Sequence, residues 1–538
     1  MQQLCMSVEN TDLPETLGEF VRLAAEQYGS QWAANWFDDR DRITYADLDD
    51  KANRLASALL RMGVRKGAHV AVMLGNVAAF PITWVALGRI GAVMVPVNTA
   101  YKINDLGFIL ADSDAQFFVV ADEFLPLLEQ IQATLPLLAA ERIIVYGQPG
   151  FGHADWAQLV ATGNPSFEPP SLVSRTDLLN IQYTSGTTGF PKGCMLSHDY
   201  WMLITHFAAA PHRQSKDIEN LLIWQPFFYM DGMWLLLLSM KLGATAYIAR
   251  NMRMRSFYDW LERYKINYCI FPEAALKARA PCEQDRKLAL RYISIYGWSH
   301  ASRREARERF GVRAREGYGM TEIGLALVVP NSAKKRALDK TCGLPGPFRK
   351  LRIVDENGAD VPDGQTGELW VSGRSILWGY YKRPKENAAS FDNGWFKTGD
   401  IFYRDPAGYH YLVGRSKDMI KRAGENIAAR EVEATLCGLE HVAEAAVVGV
   451  PDPMRREEVK AYILLRDEYT PDDCPPDVII AHCKRLLAAF KVPRYITYVD
   501  EFPRTPSRKI RKQEMIALDD RLQLPTYDRE AARVRQAS

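Results

Sequence analysis

Tyr183-Thr184-Ser185-Gly186-Thr187-Thr188-Gly189-Phe190-Pro191-Lys192-Gly193 is the stretch on which the reading of this chain turns. Small hydroxyl residues alternate with glycines, and a lysine closes the run. Glycine lets the backbone turn tightly and aim its N–H groups at an anion. Ser and Thr add hydroxyl donors, and Lys192 adds a positive charge, so the run reads as a phosphate-gripping loop. The preceding Leu178-Leu179-Asn180-Ile181-Gln182-Tyr183 leans apolar and predicts a strand that feeds it. A Walker loop would need Gly, four residues, then Gly-Lys-Ser/Thr. Counted from Gly186, the second glycine position holds Pro191, which has no N–H to donate. Gly193 follows Lys192 where a magnesium-binding hydroxyl is required. The glycine spacing of a dinucleotide fingerprint is absent as well.

Four further runs carry chemistry in order along the chain. Glu316-Gly317-Tyr318-Gly319-Met320-Thr321-Glu322 sets an aromatic, a hydroxyl and a carboxylate within five residues. An aromatic can stack on a nucleobase and a threonine can bond a phosphate oxygen. A glutamate suits Mg²⁺, a hard ion that prefers oxygen. Read alone, the run is also an ordinary turn. Gly394-Trp395-Phe396-Lys397-Thr398-Gly399-Asp400 places a carboxylate where it could accept both hydroxyls of a ribose or simply belong to a β-turn. Gly414-Arg415-Ser416-Lys417-Asp418-Met419-Ile420-Lys421-Arg422-Ala423-Gly424-Glu425-Asn426-Ile427 reads by itself as a charged linker. Pro503-Arg504-Thr505-Pro506-Ser507-Arg508-Lys509-Ile510-Arg511-Lys512 reads by itself as an exposed basic turn.

Together these runs resemble the adenylate-forming superfamily of acyl- and aryl-CoA ligases, carrier-protein adenylation domains and beetle luciferases. Gly91-Ala92-Val93-Met94-Val95-Pro96-Val97-Asn98 also resembles a standard segment of that family, so the resemblance covers nearly the whole chain. The wording is most similar to bacterial ligases of the crotonobetaine/carnitine and fatty-acyl type. The resemblance implies ATP, Mg²⁺ and coenzyme A, and a role for each matching position. Thr184, Ser185, Gly186, Thr187, Thr188, Gly189 and Lys192 would hold the β- and γ-phosphates. Tyr318 would face the base, Gly319 would belong to the nucleotide-binding set, Thr321 would face a phosphate, and Glu322 with Thr184 the metal. Asp400 and Arg415 would take the ribose, and Lys417 would be the hinge. Lys421 and Gly424 would face the site during thioester formation. Lys509 would bridge the α-phosphate and the acyl carboxylate, opposing the negative charge that builds as pyrophosphate leaves. Catalysis thus rests on Lys509, Thr184, Glu322 and Lys421.

Four places depart from the family wording. Tyr229, in Pro226-Phe227-Phe228-Tyr229-Met230-Asp231-Gly232, stands where many relatives have His. Tyr296-Gly297-Trp298-Ser299-His300 replaces a common Gly-Gly-Ala, so Tyr229, Gly297, Trp298 and His300 are expected to shape the acyl and thiol pocket or merely to pack. Arg508 replaces the glycine before Lys509, and Ala429 replaces a common proline. A cationic acid would want a buried carboxylate or an aromatic cage, to which Asp231 or Tyr229 could contribute. Carnitine-like, medium-chain fatty and aryl acids all stay open. So do loading of a carrier-protein phosphopantetheine and a catalytically dead nucleotide-binding scaffold.

At 538 residues the chain is long enough for more than one domain. Strand and helix signals alternate through 15–63, 70–97, 143–146, 244–248 and 268–271, which predicts layered α/β sheets that are largely parallel. Met233–Met240 is far shorter than a membrane span and predicts a buried helix. After residue 340 the pattern turns β-rich, and beyond about 414 it becomes a smaller α+β unit. The expected architecture is an N-terminal domain over 1–414 and a mobile C-terminal domain over 415–538, hinged at 415–417. Residues from about 528 onward are expected to fray. The net charge of +2 gives no sign of a bulk nucleic-acid binder. The basic run Ser302–Arg309, interleaved with Glu, predicts a solvated helix face. Eight cysteines without a C-x-x-C pair fit a reducing compartment, and the N-terminus carries no secretory pattern, so a cytoplasmic enzyme is expected. Small-molecule acid, ATP and CoA are the expected partners, and a homodimer is compatible with this reading.

Overall fold

The computed structural model describes residues 1–184, 191–212, 218–296, 298, 300–330, 341–415, 419–504, 510 and 512–532. The chain divides into two compact units. One comprises Met1–Thr99, Leu110–Tyr183 and Gly193–Gly414; the other comprises Ala100–Ile109, Thr184–Lys192 and Arg415–Ser538.

The first unit is built on three sheets. In one, the strands Trp32–Trp36, Thr245–Ile248, Asn220–Ile223, Tyr268–Ile270, Tyr292–Ile295 and Arg313–Met320 run parallel side by side, with antiparallel strands at each end. In another, His69–Met73, Val93–Pro96, Phe117–Ala121 and Ile143–Tyr146 are also parallel. These strands are continuous apolar runs because both faces are covered. The third sheet is antiparallel and holds Arg349–Val354, Gly367–Gly373 and Trp395–Arg404, the β-rich region that the sequence predicts. Helix Tyr45–Arg61 starts at a capping box. The Thr44 hydroxyl accepts from the Asp47 N–H, and the Asp47 carboxylate accepts from the Thr44 N–H. Helix Met230–Leu242 is apolar all round, and its residues 232–240 are buried. No helix among the described residues is long and apolar enough to cross a membrane.

The second unit centres on a sheet in which Arg456–Leu465 pairs with Val442–Asp452, with Met419–Arg422 and, in parallel, with Tyr495–Tyr498. Helices Ala429–Leu436 and Pro476–Leu486 pack against it through Val432, Leu436, Ile479, Ile480 and Cys483. Lys491, Glu431 and Asp105 form a buried cluster inside this unit. Lys491 Nζ lies 3.2 Å from Asp105 and also bonds Glu431.

Two sequence expectations need correction. The 302–309 run does lie on a helix, His300–Phe310, but it is not a solvated face throughout. Arg309 reaches the fully buried Asp285 at 2.6 Å, and Arg303 reaches the buried Glu316 at 2.6 Å. The fraying expected from about 528 does not begin there either. Thr526–Asp528 is a strand paired with Tyr495–Tyr498, and Arg494 grips Asp528 with two nitrogens at 3.0 Å. All eight cysteines are free; Cys282 and Cys437 are the exposed ones, in the first and second unit respectively.

Candidate active site

The nucleoside end of the site is built on the hairpin of Arg313–Met320 and Gly324–Val328. Gly319 is required there: a Cβ on it would stand 2.4 Å from the Gly324 carbonyl oxygen. The hairpin carries Tyr318, whose hydroxyl donates to Asp400 Oδ2 at 2.6 Å across 82 positions of sequence. Asp400 is buried on the strand Trp395–Arg404, where its N–H donates to the Thr398 hydroxyl. The Tyr318 ring meets Phe402 edge-on, with centroids 4.8 Å apart. Just past the hairpin strand, Thr321 is fixed by its carbonyl, which accepts from the Tyr200 hydroxyl at 3.0 Å. The buried Glu322 accepts from the Tyr380 hydroxyl at 2.9 Å. Burial, then the Glu322 charge, pushes the Tyr380 phenol far above its ordinary range. Tyr318, Thr321, Glu322 and Asp400 are therefore brought together. Tyr200 and Tyr380, which hold two of them, have no pattern in the sequence that marks them.

A second group of side chains lies around the start of helix Met230–Leu242. Tyr229 precedes the helix, and its hydroxyl accepts from Asn98 Nδ2 at 2.8 Å. Gln182 Nε2 donates to the Phe228 carbonyl at 2.8 Å. Asp231, in the first turn, accepts from the Trp234 indole at 3.0 Å. Tyr268 and Ser294, on adjacent parallel strands, share a hydroxyl–hydroxyl bond of 2.6 Å. Tyr296 follows, and its ring lies 3.7 Å from where a Cβ on Gly317 would stand, one residue from Tyr318. Trp298 is only 5% exposed and meets Phe271 edge-on at 6.0 Å, inside the adjoining core. Gly297 lies outside the described residues, and His300 begins the next helix. Tyr296, which the sequence reading quoted without a role, is exposed.

Thr184 ends the strand Leu178–Thr184 and Lys192 begins Lys192–Ser197. Ser185, Gly186, Thr187, Thr188 and Gly189 between them lie outside the described residues, as do Lys417 and Lys509. Arg415 ends the strand His410–Arg415. Lys421 is on Met419–Arg422, which pairs with Glu425–Ala428 through a two-residue turn. Both turn residues are left-handed, Ala423 at φ 49° and Gly424 at φ 89°, as this type of tight hairpin demands. Among the described residues no cluster of His, Cys, Asp and Glu could hold a metal by itself. A single buried carboxylate on Glu322 and a hydroxyl on Thr184 are hard oxygen donors. Each, taken by itself, is of the donor type that a hard ion such as magnesium takes.

Residues 21–381 match the family model described as AMP-binding enzyme, and residues 431–509 match that of the AMP-binding enzyme C-terminal domain. The chain belongs to the AMP-binding enzyme family. As a member of that family it is an adenylate-forming enzyme. It is 30% identical, over 489 residues, to a crotonobetaine/carnitine–CoA ligase of Proteus mirabilis, a match spanning 88% of this chain and 93% of the relative. Among solved structures, a fatty acyl CoA synthetase of Mycobacterium tuberculosis is 26% identical with a TM-score of 0.66, covering 93% of this chain and 97% of that one. An o-succinylbenzoate CoA synthetase of Bacillus subtilis, at 24% identity, superposes with a TM-score of 0.79 over 94% of this chain and 98% of that one. The last shares the fold, including the layered α/β sheets, the β-rich subdomain and the C-terminal unit.

Proposed function

We propose that this AMP-binding enzyme is a carboxylate–CoA ligase. In the first step an acid's carboxylate oxygen attacks the α-phosphorus of ATP, and pyrophosphate leaves. In the second the CoA thiol attacks the acyl carbon, AMP leaves, and the thiol proton passes to solvent. The observation that supports the reading most is the Tyr318–Asp400 pair. An aromatic ring suited to a nucleobase and a carboxylate suited to a ribose are held together at one place, beside Glu322. Glu322 and Thr184 would hold magnesium, which when bound neutralises charge on the departing pyrophosphate. Ser185, Thr188 and Lys192 would orient the β- and γ-phosphates, so that the enzyme mainly positions reactants, as in other phosphoryl chemistry. Lys509 would stabilise the first transition state and then leave the site, with residues 415–538 acting as a mobile domain turning about Lys417. Lys421 and Gly424 would serve the second step. The eight free cysteines fit work in a reducing compartment such as the cytoplasm.

The test is ATP–pyrophosphate exchange across a broad panel of carboxylic acids, followed by CoA consumption with the best acid. Exchange followed by thioester formation is expected. Exchange without CoA consumption would instead favour a carrier-protein acceptor, and no exchange with any acid would return the chain to a nucleotide-binding scaffold. Lys509→Ala should abolish exchange yet spare thioester formation from supplied acyl-AMP; equal loss of both half-reactions in a folded variant would sink the two-state scheme.

A further inference from the structure

The turn 225–229, between strand Asn220–Ile223 and helix Met230–Leu242, is irregular backbone that the fold buries: Gln225, Phe227 and Phe228 are at most 7% exposed. Buried backbone must find partners, and amide side chains supply them. Asn76 Oδ1 accepts from the Phe227 N–H at 2.8 Å, and Asn76 Nδ2 lies 3.0 Å from the carbonyl oxygens of both Gln225 and Ala249. Gln182 Nε2 donates to the Phe228 carbonyl at 2.8 Å. A third amide, Asn98, donates through Nδ2 to the Tyr229 hydroxyl at 2.8 Å. The three amides are between 2% and 4% exposed. Gly232 lets the helix close tightly on the turn, since a Cβ there would stand 2.7 Å from the Pro226 carbonyl oxygen.

The amides come from one place in the fold. Asn76 and Asn98 follow the adjacent parallel strands His69–Met73 and Val93–Pro96, and Gln182 stands near the end of the next parallel strand, Leu178–Thr184. The carbonyls of Gln225 and Ala249 follow two parallel strands of the other sheet. The turn is thus fastened across the carboxyl ends of two parallel sheets, where open α/β sheets take their ligands. All of these residues belong to the first unit. Asn76 and Gln182 serve the backbone, as burial demands. Asn98 serves a side chain. Tyr229 is half-buried, its ring packs on Phe228 with centroids 4.8 Å apart, and its hydroxyl is tied to Asn98. A ring held along its body and at its far end cannot swing about its side-chain torsions without giving up that bond.

Resting on the ligase reading above, we propose that Asn98 is a positioning residue for acid selection. It holds the Tyr229 phenol still, so that Tyr229 forms a fixed wall of the acyl pocket and sets the longest acid the enzyme activates efficiently. Asn98 acts through Tyr229 and not on the acid itself. A histidine, which many relatives have at this position, is shorter and ends before the place of this hydroxyl, so the device depends on the tyrosine.

The experiment uses the full-length enzyme and the acid that the broad panel ranks best, together with its homologues lengthened by one to six methylenes at the end away from the carboxylate. Acid-dependent ATP–pyrophosphate exchange gives kcat/KM for each, and the length at which it falls marks the wall. Asn98→Ala and Tyr229→Phe remove the same bond. Each should therefore raise kcat/KM of the acids just past that length, relative to the best acid, by about three- to tenfold, the scale of one net hydrogen bond. The gain should come through KM. The double variant should gain no more than either single one, because both changes delete one interaction. Tyr229→Phe, which keeps the ring, tests the same bond if Asn98→Ala does not fold. A length profile that folded single variants leave unchanged, gains that add in the double variant, or an equal fall with every acid, as a merely structural role would give, overturns the proposal and leaves the ligase reading standing. If no acid in the broad panel supports exchange, the ligase reading itself fails and this inference falls with it.

Discussion

At the scale of single residues, the bonds made by Tyr318 and Asp285 illustrate two uses of a buried carboxylate. Asp400 accepts from the Tyr318 hydroxyl at 2.6 Å, and in the proposed ligase its carboxylate would take the ribose hydroxyls of a bound nucleotide. Tyr318→Phe keeps the ring and removes one hydrogen bond to a charged group, worth roughly 1.5–3 kcal/mol. Part of that is recovered when ribose replaces the phenol, so KM for ATP in the exchange assay should rise less than tenfold or so, and Tyr318→Ala should cost far more. Asp285 has the opposite role. It is fully buried and matches Arg309, whose side chain is 2% exposed, and Arg279. Asp285→Asn strands a buried guanidinium and should destabilise the first unit by about 3–5 kcal/mol, read as a lower urea midpoint at unchanged slope. A shift within the range of an ordinary surface substitution would show that solvent reaches Arg309 after all. Nothing in Arg303-Arg304-Glu305-Ala306-Arg307-Glu308-Arg309 distinguishes its buried arginines from its exposed ones, because their partners, Glu316 and Asp285, come from other elements.

At the scale of elements, local rules were enough wherever a signal was local. The strand and helix signals over 70–97 and 143–146 correspond to His69–Met73, Val93–Pro96 and Ile143–Tyr146, and the β-rich pattern after residue 340 to strands such as Gly367–Gly373. The hairpin Met419–Ala428 was not legible: its charged residues read as a linker, although Ala423-Gly424 form the tight turn between two paired strands. Alanine is strained there and glycine is not. Ala423→Asn should raise the thermal midpoint slightly, since Asn tolerates the left-handed region. Gly424→Val should lower it by the equivalent of about 1–2 kcal/mol, with no steric contribution because a Cβ at Gly424 meets nothing within 4 Å. The candidate site divides in the same way. Tyr318, Thr321, Glu322 and Asp400 could be named from their runs, whereas Tyr380, Tyr200 and Tyr296 enter through tertiary contacts that no spacing records.

At the scale of the whole molecule, chain order and compactness part company. The second unit takes in Ala100–Ile109, some three hundred residues before its main segment, and the Asp105–Lys491 contact links positions 386 apart. Two carboxylates face one ammonium there. Burial is the main reason the Glu431 carboxyl is raised to about 7; Lys491 opposes the shift and Asp105 adds to it. A carboxyl raised on folding binds its proton more tightly in the folded state, so its stabilisation is complete below the unfolded value near 4.5 and is lost as pH rises through about 7. Denaturant titrations from pH 4.5 to 7.5 should therefore show a loss of stability with rising pH that Glu431→Gln removes. An identical slope in both proteins would assign it elsewhere. The free thiols carry a practical consequence at this same scale. Cys282 and Cys437 are exposed and fall one in each compact unit, while the other six are buried or partly so. The natural chain thus offers one addressable dye position per unit. A donor–acceptor pair attached at pH values where thiols ionise would report, turnover by turnover, whether the distance between the two units changes between adenylation and thioester formation.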